Sequence, residues 1–217
     1  MHFKSLYFDL DDTLYPASSG LWVAIRERMN AYMQRLMDLP IADIISLRQS
    51  YLEIYGTTLR GLQAHFNVDR DEYLAFVHDL PLEKFIYPDP GLRTILLSLP
   101  QRRWVFTNAD KNHANRVLKI LGLVDCFDGV IDIRAIDFAC KPDKIAYQRA
   151  LKIAGDDDPA LCVIFDDALR NLAPARELGF YTILVGKDGT EPSVDQAMTS
   201  LHELKDCMPE LWEKDDE

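Results

Sequence analysis

Residues 3–8, 103–106, 161–165 and 181–185 form four short runs of mostly aromatic and β-branched side chains with no regular polar alternation. A strand apolar on both sides must be covered on both faces, which is the habit of parallel strands in α/β proteins. Residues 129–133 form a fifth, weaker run. Helical patterns separate the later runs, over 113–121, 144–154 and 171–178, and a glycine follows each one (Gly122, Gly155 and Gly179). Glycine in that position is a helix stop, because it accepts the left-handed backbone that closes the last turn. Strand-helix alternation with such punctuation predicts an α/β fold: a Rossmann-like three-layer α/β/α core with a parallel sheet and right-handed crossovers.

The first and second runs are far apart, and residues 16–90 between them show no strand pattern. Trp22, Ile25, Met29, Met33 and Leu36 fall at helical spacing, and Ile44, Leu47, Tyr51 and Ile54 repeat it. Leu62, Phe66, Tyr73, Phe76 and Val77 suggest further helices. The expectation is an inserted α-helical cap domain over 16–90, joined by linkers near 15–20 and 87–91 to a core built from 1–15 and 91–217. Residues 193–208 read as one amphipathic helix, and 213–217 as an acidic tail frayed in solvent.

Composition narrows the partners. The 217 residues are 48% hydrophobic, enough to bury a core, and 35 acidic against 24 basic residues give a formal charge of -11. That balance disfavours a nucleic-acid polymer or an anionic membrane as partner, whereas a small anion could bind beside a divalent metal. The four cysteines, Cys126, Cys140, Cys162 and Cys207, contain no CxxC pair and read as reduced thiols. With no bilayer-length apolar run and no secretory leader, the expected location is cytoplasmic, and no obligate protein partner is evident.

Chemistry concentrates where the apolar runs end. Asp9 and Asp11 follow the first run in Tyr7-Phe8-Asp9-Leu10-Asp11-Asp12-Thr13. Two residues apart, they can face the same side, so that one carboxylate attacks phosphorus while the other protonates the departing oxygen and then activates water. Thr107 and Asn108 follow the second run and can hold phosphoryl oxygens through a hydroxyl and a backbone N–H. Lys141, kept out of helical geometry by Pro142, offers a fixed cation ahead of the next helix. Asp166 and Asp167 end the 161–165 run; adjacent carboxylates there are costly without a metal, and hard oxygen donors from separate segments suit Mg2+. Asp9 would add an oxygen to that site and Asp11 its backbone carbonyl. The histidines are scattered without ligand spacing.

These four stations, in this order, resemble the motifs of the haloacid dehalogenase superfamily of phosphohydrolases, over nearly the whole chain. The resemblance implies that Asp9 is phosphorylated, Asp11 is the acid/base, Thr107 and Lys141 hold phosphate, and Asp9, Asp11, Asp166 and Asp167 bind Mg2+. Two positions depart from the family pattern: Asp12 stands where glycine is frequent, and Asn171 stands where a second acid is common. The stretch Tyr55-Gly56-Thr57-Thr58-Leu59-Arg60-Gly61-Leu62, with Leu14-Tyr15-Pro16, is similar to the pyrimidine 5′-nucleotidase branch. That likeness implies hydrolysis of UMP or CMP, a small-molecule phosphate ester, with Thr57, Thr58 and Arg60 in a loop that contacts base or ribose. A helix-helix turn with a solvated arginine is the alternative there. A sugar-phosphate phosphatase or phosphomutase shares the same catalytic groups. A phosphoaccepting receiver-type domain uses a similar acidic cluster, but carries its acidic pair and accepting aspartate in a different order and a shorter chain.

Overall fold

The computed structural model describes residues 3–213. The chain divides into two compact units, one holding residues up to Ser18 together with those from Ile86 onward, the other Ser19–Phe85.

The helical unit comprises α1 (Leu21–Met37), α2 (Ile41–Tyr55), α3 (Thr58–His65) and α4 (Arg70–His78). Ile25, Met33, Ile44, Tyr51, Leu62 and Tyr73 from the apolar stripes are buried, while Leu36 and Ile54, at the same spacing, point to solvent. Arg28 ties α1 to the end of α4 by donating from Nε and Nη2 to Phe76 O at 3.0 and 2.8 Å, with its guanidinium 3.9 Å over the Phe76 ring. Gly61 is where α3 meets α2: a Cβ there would lie 2.3 Å from Tyr51 Cγ, so only glycine permits the approach.

The larger unit contains β1 (Ser5–Phe8), then α5 (Pro90–Ser98), β2 (Arg102–Phe106), α6 (Lys111–Leu121), β3 (Gly129–Ile131), α7 (Lys144–Ala154), β4 (Cys162–Asp166), α8 (Leu169–Glu177), β5 (Tyr181–Val185), β6 (Gln196–Met198) and the short α9 (Leu204–Cys207). The six strands form one parallel sheet in the order β3-β2-β1-β4-β5-β6. Tyr7 pairs in register with Trp104 and Ile164, so alternate residues line the same face. On that face Tyr7, Phe106, Ile131, Ile164 and Leu184 pack against Tyr147, Ala150, Leu172 and Ala175 of α7 and α8. Edge-to-face rings (Tyr7 on Phe180 at 5.7 Å, Phe106 on Tyr147 at 5.5 Å) each add about 0.5–1.5 kcal/mol beyond area burial. The other parity, Leu6, Phe8, Val105, Val163, Phe165 and Ile183, is equally buried, which is why the strand sequences carry no polar alternation.

One expected element is absent. Residues 193–208 do not form a single helix; they form β6, a 3-10 turn over Leu201–Glu203 and α9. Tertiary hydrogen bonding overrides the helical period here. The Asp195 N–H donates to Thr182 O at 3.1 Å, and its carboxylate accepts from Thr182 N at 2.9 Å and Thr182 Oγ1 at 2.7 Å, which docks the segment on β5 as an edge strand. The acidic tail, apart from Glu213, lies outside the described residues.

Candidate active site

The sheet order brings the carboxyl ends of β2, β1 and β4 side by side, and Thr107, Asp9, Asp166 and Asp167 lie at those ends. Asp9 prolongs β1 by one residue, its N–H donating to Phe165 O at 2.8 Å. The chain then turns, with Leu14 N–H on Leu10 O at 3.0 Å and Asp12 in the left-handed region at φ 60°. Aspartate tolerates that conformation better than most residues, and glycine better still. The backbone therefore accounts for both residue types at position 12.

Lys141 enters from the loop between β3 and α7. Its backbone is held on both sides by the Asn108 amide, which accepts from Lys141 N at 2.8 Å and donates to Lys141 O at 2.9 Å. Its buried ammonium lies 2.7 Å from Asp9 Oδ1 and 2.6 Å from Asp166 Oδ2. Asp166 is fully buried and further held by Asn171 Nδ2 at 2.9 and 3.1 Å and by the Ala168 N–H at 3.0 Å. Asn171 thus orders the carboxylate through donated hydrogen bonds. Thr107 is buried one residue beyond β2; its N–H donates to Ile131 O at 3.0 Å and its Oγ1 accepts from Ala109 N at 3.0 Å.

Carboxylate oxygens of Asp9, Asp166 and Asp167 converge to within 4.8 Å of one another. The Lys141 ammonium contacts two of the three, Asp9 and Asp166. Burial pushes the Asp9 carboxyl well up; Lys141 opposes that rise, and Asp166 and Asp167 add to it. Asp167 is exposed, yet desolvation on the side it turns to the cluster, Asp166 and Asp12 push its carboxyl up to about 7. Lys141 pays a desolvation penalty that Asp166 and Asp9 outweigh, so it stays charged. An excess of hard oxygen donors whose negative charge is only partly compensated fits a hydrated divalent ion such as Mg2+, which takes few protein ligands.

The Asp11 side chain stands outside that three-carboxylate group. Its Oδ1 accepts from Tyr15 Oη at 2.5 Å and lies 2.9 Å from Nε2 of His113, on the first turn of α6. Burial, then Asp11 itself, holds the Tyr15 hydroxyl well above its ordinary pKa, so it remains a donor. His113 is the residue that its scatter in the sequence concealed. The available signal was position: it lies in the first turn of the helix that follows the Thr107-Asn108 strand end, with its N–H capped by Asp110 Oδ1 at 2.9 Å.

Thr57, Thr58 and Arg60 belong to the helical unit. They form the cap and first turn of α3 rather than a loop, because Thr57 Oγ1 accepts the Arg60 N–H at 3.2 Å and nucleates the helix. Thr58 is buried there, its hydroxyl 3.8 Å from Met29 Sδ.

A parallel sheet with a buried lysine and a metal-ready acidic cluster at its carboxyl edge defines an α/β protein whose ligand site lies outside the strand ends. Comparison with known proteins gives the family. The haloacid dehalogenase-like hydrolase family model matches residues 3–179, and the chain belongs to that family. It is 32% identical over 190 residues to Phosphate metabolism protein 8 of Saccharomyces cerevisiae, covering 81% of this chain but 59% of that protein's length. In fold it is similar to a HAD phosphatase from Thermococcus onnurineus (TM-score 0.63, 19% identity, covering 94% of this chain and 97% of that one). It is also similar to the putative HAD-hydrolase YfnB of Bacillus subtilis bound to magnesium (TM-score 0.59, 16% identity, covering 95% and 98%).

Proposed function

We propose that the protein is a Mg2+-dependent phosphomonoesterase that works through an aspartyl phosphate on Asp9, with pyrimidine nucleoside monophosphates as substrates. The observation that carries this reading is the Lys141 ammonium shared between Asp9 and Asp166, with Asp167 completing a three-carboxylate group. A carboxylate held and oriented by a buried cation is a pre-positioned nucleophile.

In the first step an Asp9 oxygen forms a bond to phosphorus as the ester P–O bond breaks, and the departing oxygen takes a proton from the Asp11 carboxyl. In the second, water attacks phosphorus while Asp11, now a carboxylate, takes its proton. The Asp9–phosphorus bond breaks and orthophosphate leaves. Lys141, Thr107 and the backbone N–H groups beyond β2 stabilise the phosphoryl oxygens. Asn108 serves by fixing Lys141, since its side chain is committed to that peptide. Mg2+, held by Asp9, Asp166, Asp167 and the Asp11 carbonyl, would supply positive charge against the phosphoryl group.

The pyrimidine assignment rests on the Tyr55–Leu62 and Leu14-Tyr15-Pro16 sequences, and on this reading the helical unit is the cap that selects the substrate, with Arg60 as its testable residue. No helix of the described residues is long and apolar enough to cross a membrane. The test is phosphate release from a panel of nucleoside monophosphates and sugar phosphates, with and without Mg2+. UMP and CMP should lead the panel and EDTA should abolish turnover. Preference for a sugar phosphate would remove the nucleotide assignment, and metal-independent turnover would remove the Mg2+ site.

A further inference from the structure

Asp11 is gripped at one oxygen by two side chains from different parts of the fold. Tyr15 reaches it from four residues further along the same loop, and His113 from 102 residues away on α6. Both are buried, and the His113 ring is wholly enclosed, so neither is a surface contact that solvent would readily replace. A fully enclosed imidazole whose Nε2 meets a carboxylate in a reaction site is costly to place there unless the contact does something.

We propose that His113 and Tyr15 are positioning residues that together set the orientation of the Asp11 carboxyl and assign its transferable proton to Oδ2, the oxygen opposite their shared contact. This inference rests on the reading of Asp11 as the acid/base. Tyr15 donates its hydroxyl hydrogen to Oδ1, and His113 donates from Nε2 in the tautomer that carries hydrogen there. An oxygen accepting two hydrogen bonds is the carbonyl-like one, so the acid proton is borne by Oδ2. A carboxyl free to rotate would present either oxygen, and misplacement by about 1 Å can cost 10²-fold in rate. On this account the pair acts through Asp11 Oδ1 and contributes nothing to phosphate binding. Its effect is confined to proton delivery to the leaving group and, later, to proton uptake from water.

The consequence is a dependence on leaving group. Departure of an alkyl alcohol needs the proton, whereas an activated aryl oxide leaves without it. The experiment measures kcat and KM for an alkyl phosphate and for p-nitrophenyl phosphate in the full chain with Mg2+, using kcat/KM because it reports the steps up to phosphorylation of Asp9. The variants are Tyr15→Phe, His113→Leu and His113→Gln, with Asp11→Asn and Asp9→Asn as references. The expected result is a loss of about 10- to 100-fold in kcat/KM for the alkyl phosphate with Tyr15→Phe and His113→Leu, seen in kcat rather than KM, and little loss with p-nitrophenyl phosphate. His113→Gln, which keeps an N–H donor near the Nε2 position, should recover most of the loss. Equal losses on both substrates, or losses in KM alone, would show a structural role and overturn the proposal, as would unchanged turnover in both variants. If His113→Leu does not fold, as judged by its thermal melt, the near-isosteric Tyr15→Phe decides the matter by the same criteria. Failure of the underlying reading looks different: Asp11→Asn would itself lose equally on both substrates, or Asp9→Asn would remain active.

Discussion

Lys141 Nζ lies 2.7 Å from Asp9 Oδ1, although 132 residues separate the two along the chain, and the same ammonium touches Asp166 Oδ2 at 2.6 Å. Fold and proposed chemistry meet in this contact. The parallel register puts Asp9 beside Asp166, and the Asn108 amide holds the Lys141 backbone where its side chain can bridge them. Removing the ammonium by Lys141→Met leaves two buried carboxylates without their counter-charge, which costs about 3–5 kcal/mol. Urea unfolding with and without Mg2+ should show that loss, and turnover should fall by at least about 10²-fold. Lys141→Arg should not restore activity, because a planar fork cannot replace a compact ammonium between two carboxylates.

Asn108→Ala removes two hydrogen bonds to the Lys141 peptide while leaving every charged group in place. At about 0.5–1.5 kcal/mol each, the expected destabilisation is about 1–3 kcal/mol. The reduction in activity should appear in kcat, since the lysine loses its fixed position. An Asn108→Asp variant keeps the acceptor for Lys141 N–H but loses the donor to Lys141 O, and should lie closer to Asn108→Ala than to the parent. A large rise in KM with kcat unchanged would instead give the Asn108 side chain a direct role in substrate binding.

Metal binding should stabilise the fold, and more so at higher pH. Without metal, burial and neighbouring acids raise Asp9 and push Asp167 up to about 7, so the folded chain holds protons that the unfolded chain releases at about pH 4. Where the folded state binds more protons, stability falls as pH rises, so these groups weaken the metal-free fold between about pH 4 and pH 7. A divalent ion replaces those protons. The increase in melting temperature caused by Mg2+ should therefore be larger at about pH 7.5 than at about pH 5.5. Equal increases at the two pH values would contradict the proton-for-metal exchange.

Gly61 provides a test of the helical unit alone. Gly61→Ala drives a Cβ to within 2.3 Å of Tyr51 Cγ, and the expected cost is about 1–3 kcal/mol, the usual range for overpacking. Adding Tyr51→Gly, which removes both the Cγ and the Cβ that lies 2.5 Å from the new Cβ, should make the Gly61→Ala change nearly neutral, which a double-mutant cycle would report as a coupling of that size. Simple additivity would place the strain elsewhere.

Much of this arrangement is legible in the sequence because a buried strand that ends in charge is anomalous by itself. Asp9, Asp166 and Asp167 announce themselves by following apolar runs, and Gly122 and Gly155 mark helix ends that the structure closes in the left-handed conformation. What stays hidden depends on contacts between distant residues. His113 shows no ligand spacing, and only the packing of α6 beside the β1 loop brings it to Asp11. The tie between the Asn108 side chain and the Lys141 peptide is likewise visible only once both segments are in place. Residues 193–208 carry a helical period, yet the free edge of β5 and the Thr182–Asp195 hydrogen bonds claim part of them for a strand. Local propensity gives way there to pairing that no window of sequence contains.

The most direct test of the proposed mechanism is to capture the covalent intermediate. The full chain would be mixed with a nucleoside monophosphate and Mg2+, quenched within one turnover, reduced to trap any acyl phosphate, and digested for mass spectrometry. The account predicts a reduced residue at position 9, present only when both substrate and Mg2+ are added and absent in Asp9→Asn. Turnover with no modification at residue 9, or with the modification on another carboxylate, would contradict it.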